Sequence, residues 1–364
     1  MNRATGTLLA IAVVALFGFT ACGGSDDGRS EGLPPAQGED PASENQPASE
    51  NQPASEPAAA GPTDAPAETS GSEAGQTLQD LLDAVPGDDV AIIWGTGDLE
   101  PGEIRMTFLV VDSDGELTQA PTAELVVGKI DASGGSEVDA AKIGAVAVAT
   151  NNAVLESIDA GPHEHADGGA EPHDHIDATD LYVAKVDLSE PGLYWAVATP
   201  SEGEIQAFGT FEVLEESVAP SVGEEAFASD TPTLDDAPAE ALTTLEPPAE
   251  ELLRYSIADS LADNTPFIVT FATPAFCQTR VCGPVVQTVE NVRGQYEAED
   301  LRFIQVEIYI DNDPNNGVNE WVQEWGLPSE PWTFLVDESG VIQERFEGGL
   351  SARELVDAIE RTLL

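Results

Sequence analysis

Two cysteines near the C-terminal end are spaced for redox chemistry. They stand in Phe276-Cys277-Gln278-Thr279-Arg280-Val281-Cys282-Gly283-Pro284, a C-x4-C pair. Residues five apart in a continuous helix point about 140° away from each other and could not be bridged. Pro284 favours the first turn of a helix. It therefore places Cys282 at the helix N-terminal edge and Cys277 in the loop before it, where a disulfide can close. A thiol at a helix N-terminus gains thiolate character from unpaired N–H groups, and Arg280 adds local positive charge. The pair is read as a reversible disulfide, with Cys282 favoured as the helix-stabilised thiol. The rival reading is a purely structural bridge in an exported domain.

A second cluster could bind metal. All four histidines lie in His163-Glu-His165-Ala-Asp167-Gly168-Gly169-Ala-Glu171-Pro172-His173-Asp-His175. In an extended strand, residues i and i+2 share a face. A turn at Gly168-Gly169 would bring His163, His165, His173 and His175 to one side. Imidazole suits Zn²⁺ and Cu²⁺, and Glu164, Asp167 and Asp174 add negative potential. The competing reading is an acidic surface loop with solvated histidines.

The third cysteine belongs to an address. Arg3 is followed by an apolar run from Leu8 to Phe19, the length of a signal-peptide core and too short for a comfortable span. Thr20-Ala21-Cys22-Gly23-Gly24 resembles the lipobox of bacterial lipoproteins, with Phe19 where that family usually has Leu. The resemblance implies cleavage before Cys22, acylation of its sulfur, and a chain anchored to the outer face of the cell membrane.

The 364 residues carry 68 Asp+Glu against 13 Lys+Arg, a formal net charge of −55. Such a surface repels phosphate, which argues against nucleic acid and against peripheral binding to anionic lipid. Composition divides the chain. Residues 1–22 are the signal. Residues 23–78, with a PASENQ repeat, read as a disordered Pro/Ala/Ser/Glu tether. Residues 79–218 supply short β-type runs at Asp89–Trp94, Ile104–Val111, Ala123–Val127, Leu181–Leu188, Leu193–Thr199 and Ile205–Leu214. That spacing predicts an all-β immunoglobulin-like sandwich bearing the histidine loop. Residues 219–248 are acidic and contain Pro, which reads as a linker.

Residues 249–364 read as αβαβαββα. Strands are expected at Phe267–Phe271, Leu301–Ile310, Trp332–Asp337 and Val341–Phe346. A helix is expected from Pro284 to Gln295, and a last helix from Ala352 opened by a Ser351/Glu354 capping box. This segment resembles the thioredoxin superfamily: a strand ending in Phe271 runs into a cysteine loop and a helix. Pro331-Trp332-Thr333 resembles the family's cis-proline facing the active cysteine. Trp332–Gly348 looks like the closing hairpin of its membrane-associated, redox-active members. The resemblance implies an α/β thioredoxin-like C-terminal domain, joined to the sandwich by disordered acidic linkers. The spacing departs from the family's usual C-x-x-C. Cys282-Gly-Pro-Val285 reads as C-G-P-C with its second cysteine replaced, which makes Cys282 the nucleophile. Phe276-Cys277 equally matches the aromatic-Cys opening, which makes Cys277 the attacking thiol. Some peroxiredoxins also carry C-x4-C, but the Thr273-Pro274 offset does not fit their loop. Copper-handling relatives need a histidine, and residues 249–364 contain none.

These readings together imply a membrane-anchored thiol–disulfide oxidoreductase acting through Cys277, Cys282 and Pro331 on protein thiols or disulfides, with no required cofactor. The alternative is a surface lipoprotein that binds Cu or Zn through the four histidines and carries a structural disulfide.

Overall fold

The computed structural model describes residues 77–84, 91–112, 115–130, 144, 147–158, 180–201, 206–277 and 281–364. Seven strands form its first half: β1 (Ala91–Trp94), β2 (Gly102–Val111), β3 (Thr122–Lys129), β4 (Ala149–Ser157), β5 (Asp180–Leu188), β6 (Gly192–Pro200) and β7 (Ala207–Val213). They hydrogen-bond in the order β1-β2-β5-β4-β3-β6-β7 and close into a barrel through parallel pairing of Ala91 with Phe208. Alternation along each strand sends one set of side chains inward. Ile104, Met106, Phe108 and Val110 of β2 meet Leu125 and Val127 of β3, and Tyr182, Ala184 and Val186 of β5. Phe108 stacks on Tyr182 at 5.3 Å and Tyr194 on Phe211 at 5.5 Å, so side chains fill the interior. Helix α1 (Leu78–Ala84) places Leu78 against Trp195, Val197 and Ile130 outside the barrel.

The second half is a four-stranded sheet of order β11-β10-β8-β9, from β8 (Phe267–Phe271), β9 (Arg302–Val306), β10 (Trp332–Val336) and β11 (Ile342–Glu347). Only β8 and β9 are parallel. Every residue of β8 and β10 is buried, because the sheet is covered on both faces. On one face lie α4 (Cys282–Arg293) and α6 (Ala352–Thr362), with Val285, Val289, Leu355 and Ile359 on Ile268, Phe303 and Leu335. The other face carries Trp325, Val322 and Ile257 on Phe267, Val269, Phe271 and Phe334. The remaining helices are short: α2 (Ala239–Leu242), α3 (Ile257–Ala262) and α5 (Glu320–Glu324).

The expected fold class is corrected. The protein is a closed seven-stranded β-barrel plus a second sheet with few helices, not an α/β thioredoxin-like domain beside an immunoglobulin-like sandwich. Three physical causes account for the difference. Strand β4 gives little signal, since its Asn151-Asn152 and a largely exposed face break the apolar alternation; with it the sheet can close. The apolar stripes at Leu252–Leu261 and Val318–Trp325 yield only a 3₁₀ turn and helices of six and five residues. The stretch 219–248 is not a disordered linker. Gly223 N–H donates to the Ile342 carbonyl at 2.8 Å, Ala226 N–H to Gly340 at 2.9 Å, and Ile342 N–H to Glu224 at 2.9 Å. A few apolar anchors (Ala219, Leu242 and Leu245) suffice once the edge of β11 supplies partners.

The two halves also pack closely. Arg105, on the outer face of β2, donates to both Glu354 oxygens at 2.7 and 2.9 Å and to the Gly349 carbonyl at 2.7 Å. Arg345 bonds Ser217 and the carbonyls of Ala219 and Pro220, and pairs with Glu100 at 3.2 Å. Arg353 pairs with Glu156. Gly348 lies at φ +75°, and a Cβ there would sit 2.2 Å from the Gly95 carbonyl oxygen, so the seam needs glycine at this position.

Candidate functional site: the Cys277–Cys282 centre

Strand β8 ends at Phe271 and the chain turns through Thr273-Pro274-Ala275-Phe276 to Cys277. Val281 and Cys282 then open α4. The two cysteines form a disulfide with Cα atoms 5.9 Å apart, inside the usual range for a bridge. The sulfurs are not equivalent. Cys282 is fully buried among Val285, Val286, Ile268 and Leu245, whereas Cys277 is partly exposed at the edge of the same cluster. The Cys282 N–H donates to Cys277 Sγ at 3.3 Å. Val281 provides no side-chain cap, and the first turn of α4 holds no acidic residue. The positive end of a twelve-residue helix therefore acts on Cys277. The sequence favours Cys282 as the helix-stabilised thiol; in the fold, Cys277 is the sulfur with both solvent access and the helix N–H.

Pro331 follows a cis peptide bond just before β10. Trp332 pairs with Phe271, so Pro331 stands level with the start of the cysteine loop. Its side chain is buried and its carbonyl accepts the Gly348 N–H at 2.9 Å. Its burial keeps it out of any open surface. Arg280, the histidines His163, His165, His173 and His175, and Cys22 lie outside the described residues. Among the described residues, no group of three or more His, Cys, Asp or Glu is arranged to hold a metal, and no helix is long and apolar enough to cross a membrane.

Sequence reasoning missed three supports of the centre. The first is Thr244, within the segment expected as linker. Its hydroxyl accepts from Ala275 N–H of the cysteine loop at 3.1 Å and donates to Glu307 at 2.9 Å. The second is Glu307, just past β9, whose buried carboxyl also accepts from the N–H of Thr244 at 2.9 Å and of Ile308 at 3.1 Å. Burial pushes that carboxyl above the ordinary carboxylate range, against the pull of its hydrogen bonds. An acid inside the β-type run Leu301–Ile310 was the available signal. The third support is the barrel. Val281, beside Cys282, packs against Ile158 and Leu181, with Leu109 and Val183 behind them. Thr288 of α4 donates to the Ile158 carbonyl at 3.2 Å. No sequence pattern announces such a contact between distant segments. Compared with known proteins, the chain matches no protein-family model, and no curated protein is significantly similar to it.

Proposed function

We propose that this protein exchanges thiols and disulfides with polypeptide clients outside the cytoplasm, tethered to the membrane by lipid on Cys22. The observation that carries the reading is the unequal placement of the two sulfurs: Cys277 accessible and beside an uncapped helix N-terminus, Cys282 buried behind it. A client thiolate attacks Cys277 Sγ, the Cys277–Cys282 bond breaks, and Cys282 leaves as a thiolate. A second client thiolate then attacks the client sulfur of the mixed disulfide, and Cys277 leaves. The client dithiol is oxidised to a disulfide as the protein disulfide is reduced to a dithiol; run in reverse, the same steps reduce a client disulfide. The acidic surface leaves nucleic acid out of the set of partners.

The test is the reduction potential of the Cys277–Cys282 pair in the full-length chain. A value between roughly −120 and −270 mV, the span of known exchange catalysts, supports the reading. A value below about −300 mV marks a structural bridge and removes it.

A second reading rests on the sequence: His163, His165, His173 and His175 bind Cu or Zn, and the disulfide is structural. The chain that carries them departs after Ile158 and returns at Asp180, and Ile158 and Leu181 both pack on Val281 next to Cys282. Zn²⁺ and Cu²⁺ titrated calorimetrically into the full chain should bind stoichiometrically, and replacement of all four histidines by Ala should abolish this. Equal heats from the two chains rule the second reading out.

A further inference from the structure

Two consecutive residues of the stretch 219–248, Thr244 and Leu245, act on different sulfurs. Thr244 holds the loop that carries Cys277. With its backbone N–H and its hydroxyl it donates twice to Glu307, each at 2.9 Å. A hydroxyl has one proton, and here Glu307 takes it, so the Thr244 oxygen faces the loop as an acceptor. It accepts the Ala275 N–H at 3.1 Å, across 31 positions of sequence. Ala275 is thereby fixed two residues before Cys277, whose sulfur accepts the Cys282 N–H at 3.3 Å.

Leu245 closes over the other sulfur. It shares one buried cluster with Cys282, Ile268, Val285 and Val286. Ile268 belongs to the sheet and the two valines to α4, so Leu245 is the member of this set that the stretch 219–248 supplies. It is also the one that reaches the surface: it is 7% exposed, and the other three have no exposure. The dipeptide is itself secured. The Leu245 N–H donates to Thr243 Oγ1 at 3.1 Å, and the Asn312 side-chain amide donates to the carbonyls of Glu240 at 3.2 Å and Thr243 at 3.3 Å.

We infer that Thr244 and Leu245 are positioning residues that direct exchange to Cys277. This rests on the reading of Cys277–Cys282 as an exchange centre, and it names what fixes the choice of sulfur. The incoming thiolate bonds Cys277 Sγ, and the electron pair of the broken S–S bond leaves on Cys282 Sγ. Exchange needs access to the sulfur attacked, and a cysteine buried in apolar packing is inert. Leu245 withholds that access from Cys282. Thr244 keeps Cys277 at the uncapped N-terminus of α4, where its thiolate is stabilised once the pair is reduced.

The test labels the reduced full-length protein with limiting iodoacetamide at neutral pH. Trypsin cuts after Arg280 and separates the two cysteines, so mass spectrometry reads each alkylation rate by itself. In the wild type Cys277 should react at least about tenfold faster than Cys282. Leu245→Ala should raise the Cys282 rate several-fold and leave the Cys277 rate within about twofold. Leu245→Val should move the Cys282 rate the same way by less, and it serves as the test if the alanine variant does not fold. Thr244→Val should slow Cys277 about fivefold, the equivalent of one hydrogen bond, and leave Cys282 unchanged; Thr244→Ser keeps the hydroxyl and should restore the rate. Equal rates for the two cysteines in the wild type overturn the inference. So does a Cys282 rate that neither Leu245 variant moves, or a Thr244→Ser protein as slow as Thr244→Val. The wild-type reduction potential separates this failure from that of the exchange reading. Labelling without contrast at a potential between roughly −120 and −270 mV removes the role of Thr244 and Leu245 alone. A potential below about −300 mV removes the exchange reading and this inference with it, whatever the labelling.

Discussion

At the seam between barrel and sheet, Glu354 is largely shielded against Arg105, and the guanidinium and Ser351 hold its carboxyl below the ordinary carboxylate range despite the opposing effect of burial. On the cysteine side, Glu307 is buried among neutral donors alone, and its carboxyl is pushed the other way. The residue type is the same and both side chains are shielded; the placement of cations differs. The chain has 13 Lys+Arg for 68 Asp+Glu. Three of those cations, Arg105, Arg345 and Arg353, hold the barrel to the sheet, whereas none is among the groups that shift the Glu307 carboxyl. In so acidic a protein a cation is the scarce component, and its location separates the two carboxyls.

The sharpest way to break this contrast is Glu354→Gln. Glutamine keeps the capping-box geometry with Ser351, so the change removes charge more than helix structure. Arg105 keeps the Gly349 and Glu347 carbonyls, the Phe346 ring and the one oxygen of the new amide, but loses the second acceptor oxygen and the opposite charge. A loss of about 3 kcal/mol is expected, the lower end for breaking a buried pair, since those carbonyls remain. The sign of the pH dependence follows from the lowered carboxyl. Its stabilisation is complete above the unfolded value of 4.5 and is lost as pH falls through the lower folded value. Urea unfolding from pH 7 down to pH 3 should show the wild type losing stability over that window and Glu354→Gln losing less. Parallel curves would mean that the pair does not fasten the seam.

The same contrast explains how much could be read in advance. The Ser351/Glu354 capping box is local, and both of its hydrogen bonds form. The partnership of Glu354 with Arg105 spans 249 residues, and no spacing rule reaches it. Barrel strands such as β5 announce themselves because Tyr182, Ala184, Val186 and Leu188 alternate with polar neighbours. The outward residues Leu181 and Val183 break that alternation, for a reason visible only when Val281 is seen to cover them. The cysteine pair and its helix start were legible from Pro284 and the spacing. Which sulfur faces solvent was not, because that depends on Leu245, Ile268 and the valines of α4 closing over Cys282. Segment 219–248 has the composition of a linker; its order comes from the edge of β11, which composition does not encode.

The smaller test sharpens the other half of the comparison. In Glu307→Gln the amide oxygen can still accept from Thr244, so the tie from Thr244 to Ala275 and the cysteine loop should survive. Because the folded carboxyl is raised above 4.5, the unfolded state ionises first as pH rises, and the native state is penalised increasingly until the folded value is passed. Removing the ionisable group removes that penalty, while the new amide N–H₂ meets the Ile308 N–H as donor against donor. A net change within about 1 kcal/mol at pH 7 is expected. The difference between variant and wild type should move in the variant's favour as pH rises from 4 to 8, opposite in sign to the Glu354 effect. If both substitutions shifted stability with pH in the same direction, cation placement would not be what separates the seam from the cysteine side, and burial alone would have to account for both carboxyls.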